Sequence, residues 1–497
     1  MIEIKRKNIF LPCLICFIVI HFNGVQAKNA VVLGSEHAFQ SLINDNKIIE
    51  IKTNYNLEGN TIILQEGSKL VFKGGSISNG CLKCNNDCEI EDGLLYDTEV
   101  DVRGVANVII RGCEFIYKKE IVTDCAIYIN NSSYIEIYNC KFLLTDSLSS
   151  IKIIESNNVD VFNCNIDGGR NIEVLNRDNG GGIFIIYSSN RVNVSNNRIK
   201  NVGIGVAIQG LGSNEERLVS DVIVHGNTIN DCRCYGIIAY YGLTSCSNLI
   251  ISNNIISNIS GQYNNIATQP SRSLGGGIYL QQVSDVVCSG NYIRNVAIST
   301  DNNSTLAPAG IAVATSTRCK VTNNIIEDCH QQGIILRGDN NTICNNTIRY
   351  SHDIPFEFRA GHGNIIMGNH IISYENTKGP SIFCYQHGNK NSLGLSTTIG
   401  DNIIEANIIE GRQTPIYCYK VDGTLQIRDN ILSNYSGTGV EVAEGNVIIT
   451  GNVMNTKIKT GTGINAGEMV TGYSKDNLFL LEASPISISR SSKFIAK

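Results

Sequence analysis

One phrase recurs through most of this chain, and it restricts the fold more than any other feature. Val192-Asn-Val-Ser-Asn-Asn197-Arg-Ile199 returns as Val222-Ile-Val-His-Gly-Asn227-Thr-Ile229 and as Leu249-Ile-Ile-Ser-Asn-Asn254-Ile-Ile256. Asn291, Asn324, Asn346, Asn369, Asn407, Asn430 and Asn452 continue it, each two residues before an apolar residue. Upstream the same slot holds Cys113, Cys140 and Cys164, followed by Phe115, Phe142 and Ile166. Each repeat also carries a short alternating strand, usually opened by Gly, as in Gly182-Ile-Phe-Ile, Gly205-Val-Ala-Ile, Gly277-Ile-Tyr-Leu and Gly333-Ile-Ile-Leu. Alternation with period two gives each strand one buried side and one outward side. A single repeat with two or three such strands cannot bury its apolar side, whereas stacked repeats share one continuous core. The pattern therefore predicts an all-β solenoid of coils whose strands pair in parallel. Asn residues stacked about 4.8 Å apart can pass amide hydrogen bonds from coil to coil, so the recurrent Asn is read as structural.

Other solenoids fit less well: the coils are rich in Ile and Val and vary in length, unlike leucine-rich repeats, and no six-residue period is present. The V-x-V-x-x-N-x-I and G-I-x-V phrases resemble the repeats of the pectate-lyase-like superfamily of right-handed parallel β-helices, over residues 106–470. That resemblance implies a single-stranded right-handed parallel β-helix solenoid and a polysaccharide partner. It does not imply one activity, because the fold hosts lyases, hydrolases, epimerases, phage tailspikes and non-enzymatic surface proteins. The catalytic motifs of those families do not carry over. The chain has no Trp, which the commonest pectate lyases carry in a motif. Gly361-His362-Gly363 and Arg198-Ile199-Lys200 occur in the reverse of the polygalacturonase order and without its aspartate motifs. Ser351-His-Asp-Ile-Pro-Phe-Glu357 does not match the Asp-Pro-His-Glu motif of alginate-type epimerases, and Gly-rich Ca²⁺-binding nonapeptides are absent.

The ends read differently from the repeats. Lys5, Arg6 and Lys7, the apolar run Ile9–Ile20 and Val25-Gln26-Ala27 have the order of a secretory signal peptide cleaved after Ala27. The apolar run is too short to cross a bilayer, no later stretch is longer, and a secreted, periplasmic or cell-surface location is expected. Residues 28–105 are read as an N-terminal cap and lead-in coils, with a short capping helix over Ser35–Ile43, and residues 471–497 as a C-terminal cap. Losing three cations and one anion with the leader takes the formal charge from −5 to about −7, and nucleic-acid-binding motifs are absent, so no nucleic-acid partner is expected. Export invites disulfides, yet Cys113, Cys140 and Cys164 fill the Asn slot while Cys384 and Cys418 fall on inward positions, where a thiol acts as a small hydrophobe. Cys81, Cys84 and Cys88 lack a nearby His to complete a zinc set.

Function is sought on the outward stripe of the Gly-Ile strands. Early coils place Phe184, Ala207 and Ile238 there, middle coils Tyr279 with Gln281 and Ala312 with Ala314, and later coils Arg337, Glu357 with Arg359, Tyr385, Tyr417 with Tyr419, and Glu441. Aromatics stack on sugar faces and Arg forks carboxylates or sulfates. Arg337, Glu357, Arg359, His362 and Tyr385 are the candidate catalytic residues, and Tyr279, Gln281, His387, Tyr417, Tyr419 and Glu441 the candidate substrate-binding ones. Long insertions at 259–276, 296–309 and 386–398 flank these strands. The leading expectation is a lyase cleaving an acidic glycan by β-elimination. There Arg337 or Arg359 neutralises the uronate carboxylate, Tyr385 or His362 acts as base or acid, and Glu357 orients an Arg or binds Ca²⁺. A glycoside hydrolase and a non-catalytic glycan-binding surface protein are the alternatives. If Ile334, Leu336, Phe356 and Phe358 point inward, alternation puts Arg337, Glu357 and Arg359 on one outward face, with Glu357 bridging the two arginines.

Overall fold

The computed structural model describes residues 47–118, 125–145, 148–169, 181–210, 218–240, 246–260, 275–296, 309–374, 378–385, 398–456, 461–480, 485–489 and 492–496, together with the backbone of 16–19 and 31–33. The segment read as a capping helix, 35–43, lies outside them, as do most of the leader and His387. Among the described residues no helix is long and apolar enough to cross a membrane.

Three strands make one coil. Tyr235–Tyr240, Ser247–Ser252 and Ile255–Ile259 pair in parallel, each in register, with Gly276–Gln281, Ser284–Ser289 and Tyr292–Val296 of the next coil. The same relation repeats from Ile48–Ile51, which pairs with Lys69–Phe72, to Lys493–Ala496, which pairs within Thr462–Lys475. Among the described residues, antiparallel pairing is confined to the strand Cys16–Val19 against Val31–Leu33 and Ile48–Ile51. One side chain in two along each strand enters a single core that runs from Ile49 to Phe494. Cys113, Cys140, Cys164, Cys384 and Cys418 belong to this core as free thiols.

The Asn column forms the hydrogen-bond chain that stacking predicts. Nδ2 of Asn197 donates to Oδ1 of Asn227, Asn227 to Asn254, and Asn254 to Asn291, all at 3.0 Å. The chain continues through Asn452, which donates to Asn477 at 2.9 Å. Each Oδ1 also accepts the backbone N–H of the preceding rung, and each Nδ2 reaches a carbonyl of the preceding coil, as Asn346 does to Val321. The corner itself is made by the residue before each rung. Asn196, Gly226, Asn253, Gly290 and Asp429 all have φ between 55° and 66°, the left-handed region in which Asn, Asp and Gly are cheapest. The Gly that opens each first-face strand has a different cause: a Cβ on Gly205 would lie 2.4 Å from the carbonyl oxygen of Gly236 on the next coil. Replacing Asn346 by Ala strands two buried donors of Asn324 and the Val321 carbonyl. Since each stranded buried group costs about 1–3 kcal/mol, a loss of at least about 3 kcal/mol is expected for the three of them. It is read as a lower denaturant midpoint at unchanged slope, and a shift equivalent to under about 0.5 kcal/mol would show that the ladder carries no load.

The first face departs from expectation in one respect. Its early outward positions are not open: Phe184, Ala207, Ile238, Ala312 and Ile335 are all at most 4 % exposed. They pack outside the sheet with Ile204, Tyr235 and Ala309 as apolar clusters of their own, against which Tyr279 leans. The sequence signal was available, since these outward positions are Phe, Ala and Ile rather than polar residues. At the corner leading into the later first-face strands, Arg412 is 2 % exposed and ties neighbouring coils. It donates to the carbonyls of Ser351 at 2.8 Å and Lys378 at 3.1 Å and to Ser373 Oγ at 3.3 Å. Burial lowers its guanidinium pKa to about 10.

Candidate functional site

The site follows from alternation and one irregularity. Ile334, Leu336, Phe356 and Phe358 are fully buried in the core, so Arg337, Glu357 and Arg359 face outward. Ile335 pairs with Glu357 and Leu336 with Phe358, but Arg337 then pairs with Ala360, because the strand Phe356–His362 gains one residue there. This bulge makes Arg359 the extra residue, and alternation along its own strand keeps it on the same side as Glu357.

Glu357 is 5 % exposed, and both its oxygens are engaged. Oε1 accepts the Tyr385 hydroxyl at 2.8 Å, and Oε2 accepts Arg359 Nη2 at 2.8 Å. Burial works against the Arg359 charge, but Glu357 outweighs it and holds the guanidinium above its ordinary value. Burial and the adjacent Glu357 carboxylate together push the Tyr385 hydroxyl well above the usual phenol range, so it is protonated at neutral pH. Arg337 completes the group from the preceding coil. Burial, and then the neighbouring Arg359, lower its pKa, and among the described residues no carboxylate pairs with it. Glu357 therefore bridges Arg359 and Tyr385 rather than the two arginines, since Arg359 stands two residues after it on the same face of one strand. The arrangement is a half-buried cation beside a carboxylate–phenol–guanidinium network, which can take one anionic group and move one proton.

The remaining predicted residues divide. Phe383 stacks on Tyr385 at 4.6 Å between centroids and lies parallel to Tyr417 at 5.4 Å and 4°, so Tyr417 continues the site by one coil. Tyr419, 56 % exposed, lies beyond it, and Glu441 pairs in register with Tyr417. Burial, and then Glu441, raise the Tyr417 hydroxyl. His362 is not part of this group. Gly361, with φ 142°, turns the chain, and His362 Nε2 meets Thr398 Oγ1 at 3.0 Å while its Nδ1 lies 3.9 Å from Asp401. Tyr279 sits three coils before Glu357 in the register and packs on Tyr235, with Gln281 two residues further along its strand. No group of three or more His, Cys, Asp or Glu side chains that could hold a metal occurs among the described residues, and Glu357 has given both oxygens to other partners. Sequence reasoning missed a second amide column, in which Asn341 Nδ2 donates to Asn364 at 3.1 Å and Asn364 to Asn402 at 3.0 Å. Each stands five residues before a main-ladder Asn, a spacing visible in the sequence.

A parallel β-helix with a half-buried arginine beside a carboxylate–phenol–guanidinium network and stacked aromatic rings on one face is the class of protein these features define. The sequence matches the family described as "right handed beta helix region" over residues 100–269 and 276–479, well over half of the chain, and the chain belongs to that family. No match is found among curated proteins. Among solved structures, the tailspike protein of E. coli bacteriophage HK620 is similar at 14 % identity, covering 74 % of this chain and 71 % of that one, with a TM-score of 0.49. The periplasmic alginate epimerase AlgG is similar at 11 % identity, over 86 % of this chain and 89 % of that one, with a TM-score of 0.40. PfbA, a surface adhesin of Streptococcus pneumoniae, is similar at 14 % identity, over 82 % and 89 %, with a TM-score of 0.39.

Proposed function

We propose that this protein binds an acidic polysaccharide on its first face and cleaves it by β-elimination, with Arg337, Glu357, Arg359 and Tyr385 as the working group. The observation that carries the reading is Arg337, a half-buried guanidinium beside a second one, with no carboxylate partner among the described residues. A uronate carboxylate supplies the missing charge, and neutralising it acidifies the proton on the adjacent carbon. Tyr385 is the group that moves that proton. In the minor fraction whose hydroxyl proton has been lost to solvent, a form that Arg337 and Arg359 favour and Glu357 opposes, the Tyr385 phenolate takes the carbon-bound proton. The electron pair of that C–H bond forms the C=C bond, the β C–O bond breaks, and the proton passes to the leaving glycosidic oxygen. The leader read at residues 1–27 would place the glycan outside the cytoplasm.

The test is a panel of pectin, alginate and glycosaminoglycans, scored for the ultraviolet absorbance of an unsaturated sugar and for new reducing ends. New ends without that absorbance establish a hydrolase, and binding without either establishes a lectin-like protein. Replacing Arg337 by Ala removes a charged hydrogen bond worth about 1.5–3 kcal/mol, so kcat/KM on the acidic glycan should fall by roughly 10- to 150-fold. Affinity for a carboxyl-reduced form of the same glycan should not change. An equal loss on both would show that Arg337 does not read the carboxylate.

A further inference from the structure

The middle strand of each coil makes the second face, and its outward residues change character in order along the solenoid. Register carries one outward column from Glu136 and Asp160 through Asn193 to Ile223, Ile250 and Val287, and then to Lys320. The three apolar members stand on successive coils and are 39 %, 41 % and 39 % exposed. This column is therefore acidic at its N-terminal end, apolar in the middle and basic at its C-terminal end. Nearer the start of the same strands, Arg191 stands on the coil of Asn193 and Asp285 on the coil of Val287. Among the described residues neither Arg191 nor Lys320 has a carboxylate partner. The two acids keep room for one: Asp160 Oδ1 accepts Asn193 Nδ2 at 3.0 Å, and Asp285 takes Arg318 at 2.6 and 2.7 Å, while a carboxylate can accept about four hydrogen bonds.

We infer that the second face is the interface of a homodimer, in which two copies pack face to face with their solenoid axes antiparallel. A twofold axis along the strands, midway between Ile223 and Ile250, sets Ile223 of one copy on Ile250 of the other and Val287 on Asn193. The same operation sets Asp160 opposite Lys320 and Arg191 opposite Asp285, each pair occurring twice by symmetry. With the axes parallel instead, Asp160 would meet Asp160 and Lys320 would meet Lys320, so charge selects the antiparallel arrangement. A partner of one charge sign, such as an acidic polysaccharide, meets the wrong sign at the Asp160 end, whereas the reversed copy of this face carries the opposite order. Aligned sheets pack about 10 Å apart, a gap that the Ile and Val side chains fill and a Lys side chain spans. The six coils from Asp160 to Lys320, at about 4.8 Å each, and strands of six residues, at about 3.3 Å each, give a face of roughly 600 Å² a side. Twice that is at the lower bound of stable interfaces. The first face lies on another side of every coil, so Arg337 and Tyr385 stay clear in both copies, and the inference does not rest on the proposed function.

The experiment is sedimentation velocity on the full protein from about 1 to 100 µM, since an interface of this size gives a dimer that dissociates in the micromolar range. Lys320→Glu sets two acids against each other at both ends of the interface, and the dissociation constant should rise at least about tenfold. Asp160→Lys should do the same with two cations. Combining the two substitutions in one chain restores both pairs with their signs exchanged, and dimerisation should return to within about threefold of the wild type. The exchange also covers misfolding, because a variant that lost its dimer by unfolding would not regain it from a second substitution. Ile250→Arg places two cations beside the axis and should leave a monomer throughout the range. A wild-type protein that stays monomeric at every concentration overturns the inference. So does a dimer indifferent to both Lys320→Glu and Ile250→Arg, which must use another surface. A combined variant no tighter than its parents overturns the antiparallel arrangement, and each of these results leaves the proposed function standing.

Discussion

Replacing Tyr385 by Phe is expected to lower kcat/KM by about 10²- to 10⁴-fold, the range over which a positioned proton-transfer group works, with KM little changed. The ring is kept, so its stacking on Phe383 at 4.6 Å survives, and only the hydroxyl that meets Glu357 at 2.8 Å is lost. The pH profile gives the same role a second readout. Burial and Glu357 raise the Tyr385 pKa above the ordinary phenol value, so in the neutral range the reactive phenolate is a minor species whose fraction grows tenfold per pH unit. Wild-type kcat/KM should therefore climb with about unit slope from neutral to alkaline pH, and the Tyr385→Phe remnant should not. A flat wild-type profile over that range would remove Tyr385 as the base, and an unchanged rate in the Phe variant would remove it from the chemistry.

The fold was legible in the sequence because a solenoid writes its contacts periodically. Each Asn from 197 to 452 marks a corner, and each inward Ile or Val marks a strand, so counting places the coils without any long-range inference. The outward face is harder to read, because alternation says which side chains leave the core but not what they meet next. Phe184, Ile238 and Ala312 were correctly placed outside the sheet and incorrectly taken as open. Alternation also assumes a regular strand. The extra residue takes Arg359 out of register with Arg337; Glu357 pairs with Arg359 two residues on in its own strand, and Arg337 is left without a carboxylate partner among the described residues. His362 was grouped by its closeness in sequence, but the turn at Gly361 takes it to the Thr398–Asp401 corner. Asn477 was assigned to a terminal cap and proves to be a rung of the ladder, because the residue before it, Asp476, adopts the same left-handed corner conformation.

The pairing of Glu357 with Arg359 sets the largest stability effect expected at the site. Both side chains are mostly buried, at 6 % and 17 % exposure, so their ion pair is shielded from water, and removing one partner leaves a desolvated charge. Breaking a pair of this kind costs about 3–5 kcal/mol, because the remaining charge keeps its desolvation penalty and loses its compensation. In Arg359→Met, Glu357 retains only the Tyr385 hydrogen bond, and a loss of about 3 kcal/mol is expected, the lower end of that range. The loss should be local, since a solenoid's stability is a sum of terms between neighbouring coils. Amide exchange across Phe356–His362 and its partner strands Gln332–Arg337 and Pro380–Cys384 is therefore the sensitive measurement. Glu357→Gln combined with Arg359→Met should recover most of the protection, because the neutral amide still accepts from Tyr385 and no charge remains buried. If the double variant is as unprotected as Arg359→Met alone, the loss comes from packing of the long arginine side chain rather than from the orphaned carboxylate. The two variants also separate stability from recognition. Arg337 is untouched in both, so the double variant should fold while losing turnover and still prefer the acidic glycan over its carboxyl-reduced form.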